Sequence, residues 1–316
     1  MRRATVGESR DPCHSQTPYR IIRTVPPAPD VPAVSGSFVH HGHRLSYTAF
    51  GEGPRWVVLM PGLLLPATMQ EPLARHIAER GNHVVTFDPL GHGASDRPVD
   101  MGEYSVHAFA TEVIALLDHL DVDEAVVGGT SLGANVTLEV AAIAPRRVRG
   151  MIIEMPVLEN GLVASAITFG PLLVALHFGE RAIRPVAAFF RRIPRWAAPF
   201  WGNVALDVVR QDPGPSAALL RGLFFGHTAP HRDVRRTIKA PALVIGHHRD
   251  PVHPFSDAGM LVKELPSARL CEASHILELR FSPARLSKEI DRFIDHCWAP
   301  KVRRSQRRPA TRQRSA

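Results

Sequence analysis

The segment 129–133 reads Gly-Thr-Ser-Leu-Gly and carries the residue type best suited to nucleophilic chemistry. It follows the apolar run 125–128 and precedes an apolar stretch, so Ser131 is predicted to lie on a sharp turn between a strand and a helix. Small glycines leave room for such a turn, and a helix N-terminus favours the negative charge that develops during attack. The alternative is a glycine-rich turn without chemistry. The setting favours a serine nucleophile.

A serine hydroxyl needs a neighbouring base to remove its proton. His275 follows the last predicted strand, 269–271, and Asp250 follows the predicted strand 242–245. The carboxyl ends of parallel strands meet at one edge of a sheet, so both residues are expected to converge on Ser131. His275 is predicted to be the general base, with Asp250 orienting its imidazole and stabilising the imidazolium.

Three neighbouring residues offer alternatives. Glu154 ends the strand after the Ser131 helix and is a second candidate for the acid, although a hinge or rim role is favoured. Asp257 is expected on the solvated face of a helix. His253 is close enough to Asp250 to line the site, but a role in the loop is favoured.

A strand–helix alternation must position these residues. It implies parallel strands joined by crossover helices. The predicted strands cover 38–40, 45–50, 56–60, 83–87, 125–128, 149–153, 242–245 and 269–271, and the predicted helices cover 69–80, 105–120, 132–144 and 283–297.

The alternation stops between residues 156 and 235, a helical and aromatic-rich segment with nine arginines and five acidic residues. We therefore expect an α/β core over 35–155 and 236–299, interrupted by a helical insertion over 156–235. Residues 1–34 are expected to form a flexible arm and 300–316 a basic disordered tail.

Three motifs in order make residues 36–298 resemble the α/β-hydrolase superfamily. They are the segment 129–133, the D-x-x-G-x-G-x-S pattern from Asp88 to Ser95, and the G-x-x-x-D-x-x-x-P pattern from Gly246 to Pro254. The resemblance implies a mostly parallel sheet flanked by helices, and an insertion that forms a lid over the nucleophile. Asp88 and Ser95 are expected to be structural.

The resemblance also implies an oxyanion hole made by the backbone N–H groups of Leu63 and Leu132. The family usually has His-Gly at the first of these loops, whereas this chain has Pro61-Gly62. Backbone donors survive that change, but proline stiffens the loop and removes a polar contact. The donor geometry is thus less well defined by the sequence than the catalytic residues are.

These residues favour hydrolysis of a carboxylic ester, or a thioester, of a hydrophobic acyl substrate through an acyl-enzyme on Ser131. Acyl transfer, cofactor-free perhydrolysis and C–C bond hydrolysis use the same residues and stay open, as does a catalytically idle binding protein. The chemistry requires no metal and no organic cofactor. His40, His41 and His43 predict no metal site because neighbouring strand residues point to opposite faces.

The net charge of +8 does not indicate a nucleic-acid-binding protein, because seven Lys and Arg lie in residues 301–316 with no acidic residue. The tail lacks aromatic residues for base stacking. The basic insertion or tail could contact a membrane or an anionic carrier. Three cysteines without metal spacing and the absence of an apolar leader favour a cytoplasmic protein. The oligomeric state is left open.

Overall fold

A computed structural model describes residues 31–300, which form an eight-stranded sheet flanked by helices. The strand order is β1-β2-β4-β3-β5-β6-β7-β8. The strands are β1 (Ala33–His40), β2 (His43–Phe50), β3 (Arg55–Met60), β4 (Asn82–Asp88), β5 (Ala125–Thr130), β6 (Val148–Glu154), β7 (Ala242–His247) and β8 (Ala268–Ala273).

Strands β3 to β8 pair in parallel, whereas β2 is antiparallel to both β1 and β4. The carboxyl ends of β5, β6, β7 and β8 therefore meet at one edge. Short, wholly apolar central strands such as β3 fit this topology because both of their faces are covered by helices. The predicted mostly parallel α/β sheet flanked by helices is confirmed.

Two helical layers bury the sheet, each with its own apolar core. Helices α2, α3 and α9 cover one face, and α1 and α11 cover the other. The helices are α1 (Glu71–Ala78), α2 (Val106–His119), α3 (Leu132–Ile143), α4 (Gly161–Phe178), α5 (Glu180–Arg191), α6 (Phe200–Val209), α7 (Pro213–Phe225), α8 (Arg232–Arg235), α9 (Phe255–Glu264), α10 (Glu278–Phe281) and α11 (Ala284–Trp298).

Most predicted bounds differ from the observed ones by one or two residues, and the differences at the first strand and the first helix are larger. The first strand begins at Ala33, so residues 33 and 34 belong to the sheet and not to the predicted arm. The predicted helix 69–80 is a 3₁₀ turn at Ala67–Gln70 followed by α1, which has a proline in its first turn, where the missing N–H costs nothing. The rest of the predicted arm and most of the predicted tail lie outside the described residues.

All regular elements between β6 and β7 are helical, and we call α4 to α8 the cap helices. Asp257 of α9 binds the backbone at the start of α4 and just before it. Its carboxylate is fully buried and accepts hydrogen bonds from the backbone N–H groups of Leu158 at 2.7 Å and Gly161 at 2.9 Å. The prediction of a solvated Asp257 was wrong, because these backbone donors replace water.

The carboxyl group of Glu112 on α2 is buried, and burial disfavours its negative charge. Burial raises the pKa of Glu112 to about 8, and the hydrogen bond from the Leu90 N–H at 3.0 Å offsets only part of that effect. The folded protein therefore keeps a proton on Glu112 between about pH 4.5 and 8, a range over which the unfolded chain releases it.

Glu112→Gln should flatten the pH dependence of stability. Because the native state binds the extra proton, the free energy of unfolding of the wild type should fall as the pH rises from about 4.5 to 8. Glutamine stays neutral, so the melting temperature of the variant should rise relative to the wild type across this range. Calorimetry at pH 5 and pH 8 measures the difference.

The exposed Glu79→Gln variant serves as the control. Its melting temperature should shift equally at both pH values relative to the wild type. A Glu112→Gln curve parallel to the wild-type curve would contradict the inferred protonation.

Candidate active site

Ser131 lies between β5 and α3 in a left-handed conformation, with φ 54° and ψ −109°. A Cβ at Gly129 would lie 2.6 Å from the backbone carbon of Gly133, and a Cβ at Gly133 would lie 2.8 Å from the carbonyl oxygens of Met60 and Pro61. Side chains at positions 129 and 133 would thus collide with backbone. The two glycines make the turn possible and present the serine at the end of β5.

The Ser131 hydroxyl hydrogen-bonds to the side chain of His253. Its Nε2 lies 2.9 Å from Ser131 Oγ, and its Nδ1 lies 2.9 Å from Asp250 Oδ2. The second oxygen of Asp250 accepts the backbone N–H groups of Val252 at 2.8 Å and His253 at 2.9 Å. This turn folds the loop after β7 back on itself, so the imidazole bridges the carboxylate and the serine.

The carboxylate of Asp250 is held in its charged form. Burial alone would raise the pKa of Asp250, but the hydrogen bonds from the His253 side chain and from the two backbone N–H groups outweigh burial and lower it. An ionised Asp250 accepts a hydrogen bond from the Nδ1–H of His253, which leaves Nε2 free to accept the proton of Ser131.

The structure does not bring His275 to Ser131, which corrects the sequence prediction. Its side chain is exposed, and its Nε2 lies 3.4 Å from Ser282 Oγ. Glu278 fixes this loop by accepting the backbone N–H of Ser274 at 2.5 Å, and Arg285 binds Glu278 at 2.8 Å. The loop after β8 therefore turns into α10, and the His275 ring contacts Ser282 after that helix and does not hydrogen-bond to Ser131.

Glu154 is neither the carboxylate that contacts the histidine nor a rim residue. It is buried at the end of β6 and pairs with Arg280 of α10 at 2.6 Å. The Thr130 hydroxyl hydrogen-bonds to the Glu154 carboxylate and accepts from Arg280 at 2.8 Å. Gln70 donates to Thr130 at 3.0 Å and to the Met60 carbonyl at 2.8 Å. This buried polar network joins β3, β5, β6 and α10 directly behind the serine.

His247 is a second buried histidine near the same strand ends. Burial lowers the pKa of His247, and the charges of Glu154 and Asp250 offset only part of that effect. The ring is thus neutral at neutral pH and adds no positive charge beside His253. Within residues 31–300, no three His, Cys, Asp or Glu side chains are arranged to hold a metal ion.

The loop after β3 lies beside the serine. Leu63 and Leu132 line the same cavity as Ser131, and Gly133 donates its N–H to the Pro61 carbonyl at 3.1 Å. In the described part of the chain, neither the Leu63 nor the Leu132 N–H donates to a side chain or to a loop carbonyl. Both donors are therefore available to an oxygen atom bound next to Ser131.

Asp88 and Ser95 hold the loop after β4, as predicted. The Asp88 carboxylate accepts the N–H groups of Ala67 at 2.6 Å and Ala94 at 3.0 Å, and Ser95 donates its hydroxyl to the Asp88 carbonyl at 2.5 Å. These contacts connect the loop to the 3₁₀ turn that contains Gln70. Asp88 and Ser95 therefore support the loops around the site.

A cavity of about 890 Å³ opens next to Ser131. It lies between α3, which carries the serine at its N-terminus, and the cap helices. Its lining is mainly apolar and includes Leu63, Leu132, Ala166, Phe169, Leu220 and Leu223. Its few polar side chains include Glu139 and His227, which lie 3.5 Å apart. An apolar group fits this lining.

A family model described as "alpha/beta hydrolase fold" matches residues 55–269, which is more than half of the chain. The 3-oxoadipate enol-lactonase 2 of Acinetobacter baylyi is 29% identical over 243 residues, covering 73% of this chain and 86% of that protein. A putative carbamate hydrolase, RutD, of Azorhizobium caulinodans is 27% identical over 243 residues, covering 74% of this chain and 88% of that protein.

Solved structures agree on the fold. The enol-lactonase of Burkholderia xenovorans superposes with a TM-score of 0.65 at 23% identity, covering 82% of this chain and 99% of that chain. A hydrolase of Pseudomonas aeruginosa gives a TM-score of 0.68 at 21% identity, covering 82% of this chain and 98% of that chain.

Arg280→Met should strongly destabilise the protein. The side chains of Arg280 and Glu154 are 8% and 3% exposed, so removal of the arginine leaves a buried carboxylate without its partner. Breaking such a pair costs about 3–5 kcal/mol of unfolding free energy. Urea unfolding measures this loss, and the double variant Glu154→Gln/Arg280→Met should recover much of it.

Arg292→Met is the matched control, because Arg292 is 70% exposed and pairs with Glu289 at the surface. Its cost should stay below about 1 kcal/mol. Equal costs for Arg280→Met and Arg292→Met would show that the buried network does not stabilise the fold.

Proposed function

Because the chain belongs to the α/β-hydrolase family, we propose that it is a serine hydrolase that cleaves the ester bond of a largely apolar small molecule. The ester can be open or cyclic, as in a lactone. The observation that carries the proposal is the continuous hydrogen-bonded series Ser131–His253–Asp250 beside an apolar cavity. The sequence analysis named two of these three residues as catalytic.

In the first half of the reaction, Ser131 Oγ attacks the carbonyl carbon of the ester while His253 Nε2 accepts the hydroxyl proton. The electron pair of the carbonyl moves onto its oxygen, and the N–H groups of Leu63 and Leu132 stabilise that oxyanion. The negative charge of Asp250 stabilises the imidazolium of His253. Collapse of the intermediate breaks the bond to the alkoxy oxygen, which takes the proton from His253 and leaves as an alcohol.

In the second half, a water molecule attacks the acyl-enzyme and His253 accepts a proton from it. Collapse of this intermediate returns the proton to Ser131 and releases the carboxylic acid. With a lactone, the alcohol stays attached to the acyl group, so a single hydroxy acid leaves. A thioester follows the same steps with a thiol as the leaving group.

The substrate class rests on the cavity and on the relatives. The apolar lining favours a substrate whose acyl portion is hydrophobic. Two of the similar proteins are named enol-lactonases, and a lactone is a cyclic ester. Their names support an ester or lactone as the bond to be cleaved. This chain resembles them at less than 30% identity, so the proposal names the bond and not their substrate.

His253→Ala and His275→Ala should separate the two candidate bases. Removal of His253 leaves Ser131 without a proton acceptor, so kcat on p-nitrophenyl esters should fall about 10⁴- to 10⁶-fold, as for Ser131→Ala. His275→Ala removes an exposed side chain and should change kcat less than about threefold. Steady-state kinetics on esters from acetate to decanoate measures all three variants.

Circular dichroism and melting curves of the three variants control for folding. If His275→Ala is inactive and His253→Ala is active, the base is the residue that the sequence analysis predicted. If the wild type and Ser131→Ala show the same negligible turnover on every ester, the protein is a binding protein on this scaffold.

Ala166→Phe should change the preference for acyl length. Ala166 of α4 lines the cavity, so a phenyl ring there reduces the space for a long chain. The kcat/KM for a decanoate ester should fall about tenfold more than that for an acetate ester, a difference typical of a few methylene contacts. Ala205→Phe, on the exposed side of α6, is the control and should leave the ratio unchanged. Equal losses on both esters would mean that the acyl chain lies elsewhere.

A further inference from the structure

Helix α4 presents an uncovered apolar stripe on the outside of the cap helices. Its 18 residues contain no Asp, Glu, Lys or Arg, and only Gly161 and Leu176 are buried. Val163, Ile167, Val174 and Phe178 are all exposed. At 100° per residue these four positions fall within about 60° of one another, so they form one stripe along the helix. Apolar surface of this extent is costly to leave in water.

The opposite side of α4 belongs to the cavity. Ser165, Ala166 and Phe169 line that space, and α4 packs on α7. Among the described helices, α4 alone meets the length and composition of a membrane span. A helix with one side against the cavity and α7 cannot be surrounded by lipid. Its exposed stripe is suited to lying along a bilayer surface and not to crossing it.

Two aromatic residues that follow α4 in the cap segment are also exposed. Phe189 of α5 is exposed, and Trp196, just after α5, is 87% exposed. Tryptophan is favoured at the boundary between lipid headgroups and acyl chains because its ring is apolar and its N–H is polar. We call Val163, Ile167, Val174, Phe178, Phe189 and Trp196 the apolar cap face.

Positive charge lies beside the apolar cap face. Within the described residues of the cap helices, each acidic side chain has an arginine partner, as in Glu180 with Arg184 and Asp207 with Arg195. Arg181, Arg191 and Arg192 of α5 and its C-terminus are exposed and have no carboxylate within 4.0 Å in the described part of the chain. The segment 156–235 holds nine arginines against five acidic residues.

We propose that the apolar cap face docks on a lipid bilayer that carries anionic headgroups. The exposed stripe of α4 and Trp196 would enter the boundary of the acyl chains, and the arginines of α5 would bind lipid phosphates. A second copy of the chain fits this surface less well, because its excess of arginines would face the same excess. Docking would place the cap wall of the cavity against the bilayer, and it does not depend on the chemistry at Ser131.

Vesicle binding of the full chain tests the proposal. The wild type, the double variant Val163→Asp/Ile167→Asp and the control Val39→Asp are sedimented with vesicles of phosphatidylcholine, with and without phosphatidylglycerol. Val39 lies on β1, and its exposed fraction of 71% equals that of Ile167 on α4. The wild type and Val39→Asp should bind the anionic vesicles, and the double variant should bind about tenfold or more weakly. Circular dichroism spectra and melting temperatures should be the same for all three proteins, which shows that the double variant folds.

Tryptophan fluorescence locates the contact. The basic residues of 301–316 are the same in every variant, so residual binding alone cannot identify the cap as the contact. Vesicles with brominated acyl chains should quench the wild type, and Trp196→Phe should bind equally but lose most of the quenching. Equal binding of the double variant and Val39→Asp, or unchanged quenching in Trp196→Phe, would overturn the proposal. So would light scattering that shows the wild type to be a dimer and the double variant a monomer.

Discussion

The strained backbone of Ser131 is the constraint around which the site is arranged. A non-glycine residue at φ 54° and ψ −109° costs about 1–3 kcal/mol and persists only when its surroundings hold it. Here the Ser131 N–H donates to the Glu154 carbonyl at 2.8 Å, and the Gly133 N–H donates to the Pro61 carbonyl at 3.1 Å. Three strand ends therefore fix one residue. The turn presents the hydroxyl to His253, which the loop after β7 holds 2.9 Å away.

The buried polar network behind Ser131 explains how this edge of the sheet tolerates the strain. Glu154 and Arg280 neutralise each other beneath the turn, and Thr130, the residue that precedes the serine, hydrogen-bonds to both. The ion pair with Glu154 compensates the buried charge of Arg280. Arg280 belongs to α10, the helix that follows the loop containing His275. These contacts place α10 beside the turn, whereas the histidine that contacts the serine comes from the loop after β7.

The sequence was sufficient for the sheet, the turn at Ser131 and the approach of Asp250, because these follow from apolar runs and from the geometry of parallel strand ends. It was insufficient for His253 and His275, since both follow a strand and the direction of each ring depends on local hydrogen bonds. The Asp250-x-x-His253 spacing held a usable signal, because an aspartate that accepts N–H groups two and three residues later folds such a loop back. Asp257 could not be recognised as buried, because its partners lie about 100 residues away in the chain.

The most direct test of the account is a crystal structure of the protein after reaction with an alkyl phosphonate that mimics the first intermediate. The account predicts a covalent bond from Ser131 Oγ to phosphorus and a phosphonyl oxygen within hydrogen-bond distance of the Leu63 and Leu132 N–H groups. His253 should lie between the adduct and Asp250, with the alkyl chain in the cavity under α4. A modified Ser131 with His275 in the place of His253, or a phosphonate bound to another residue, would contradict it.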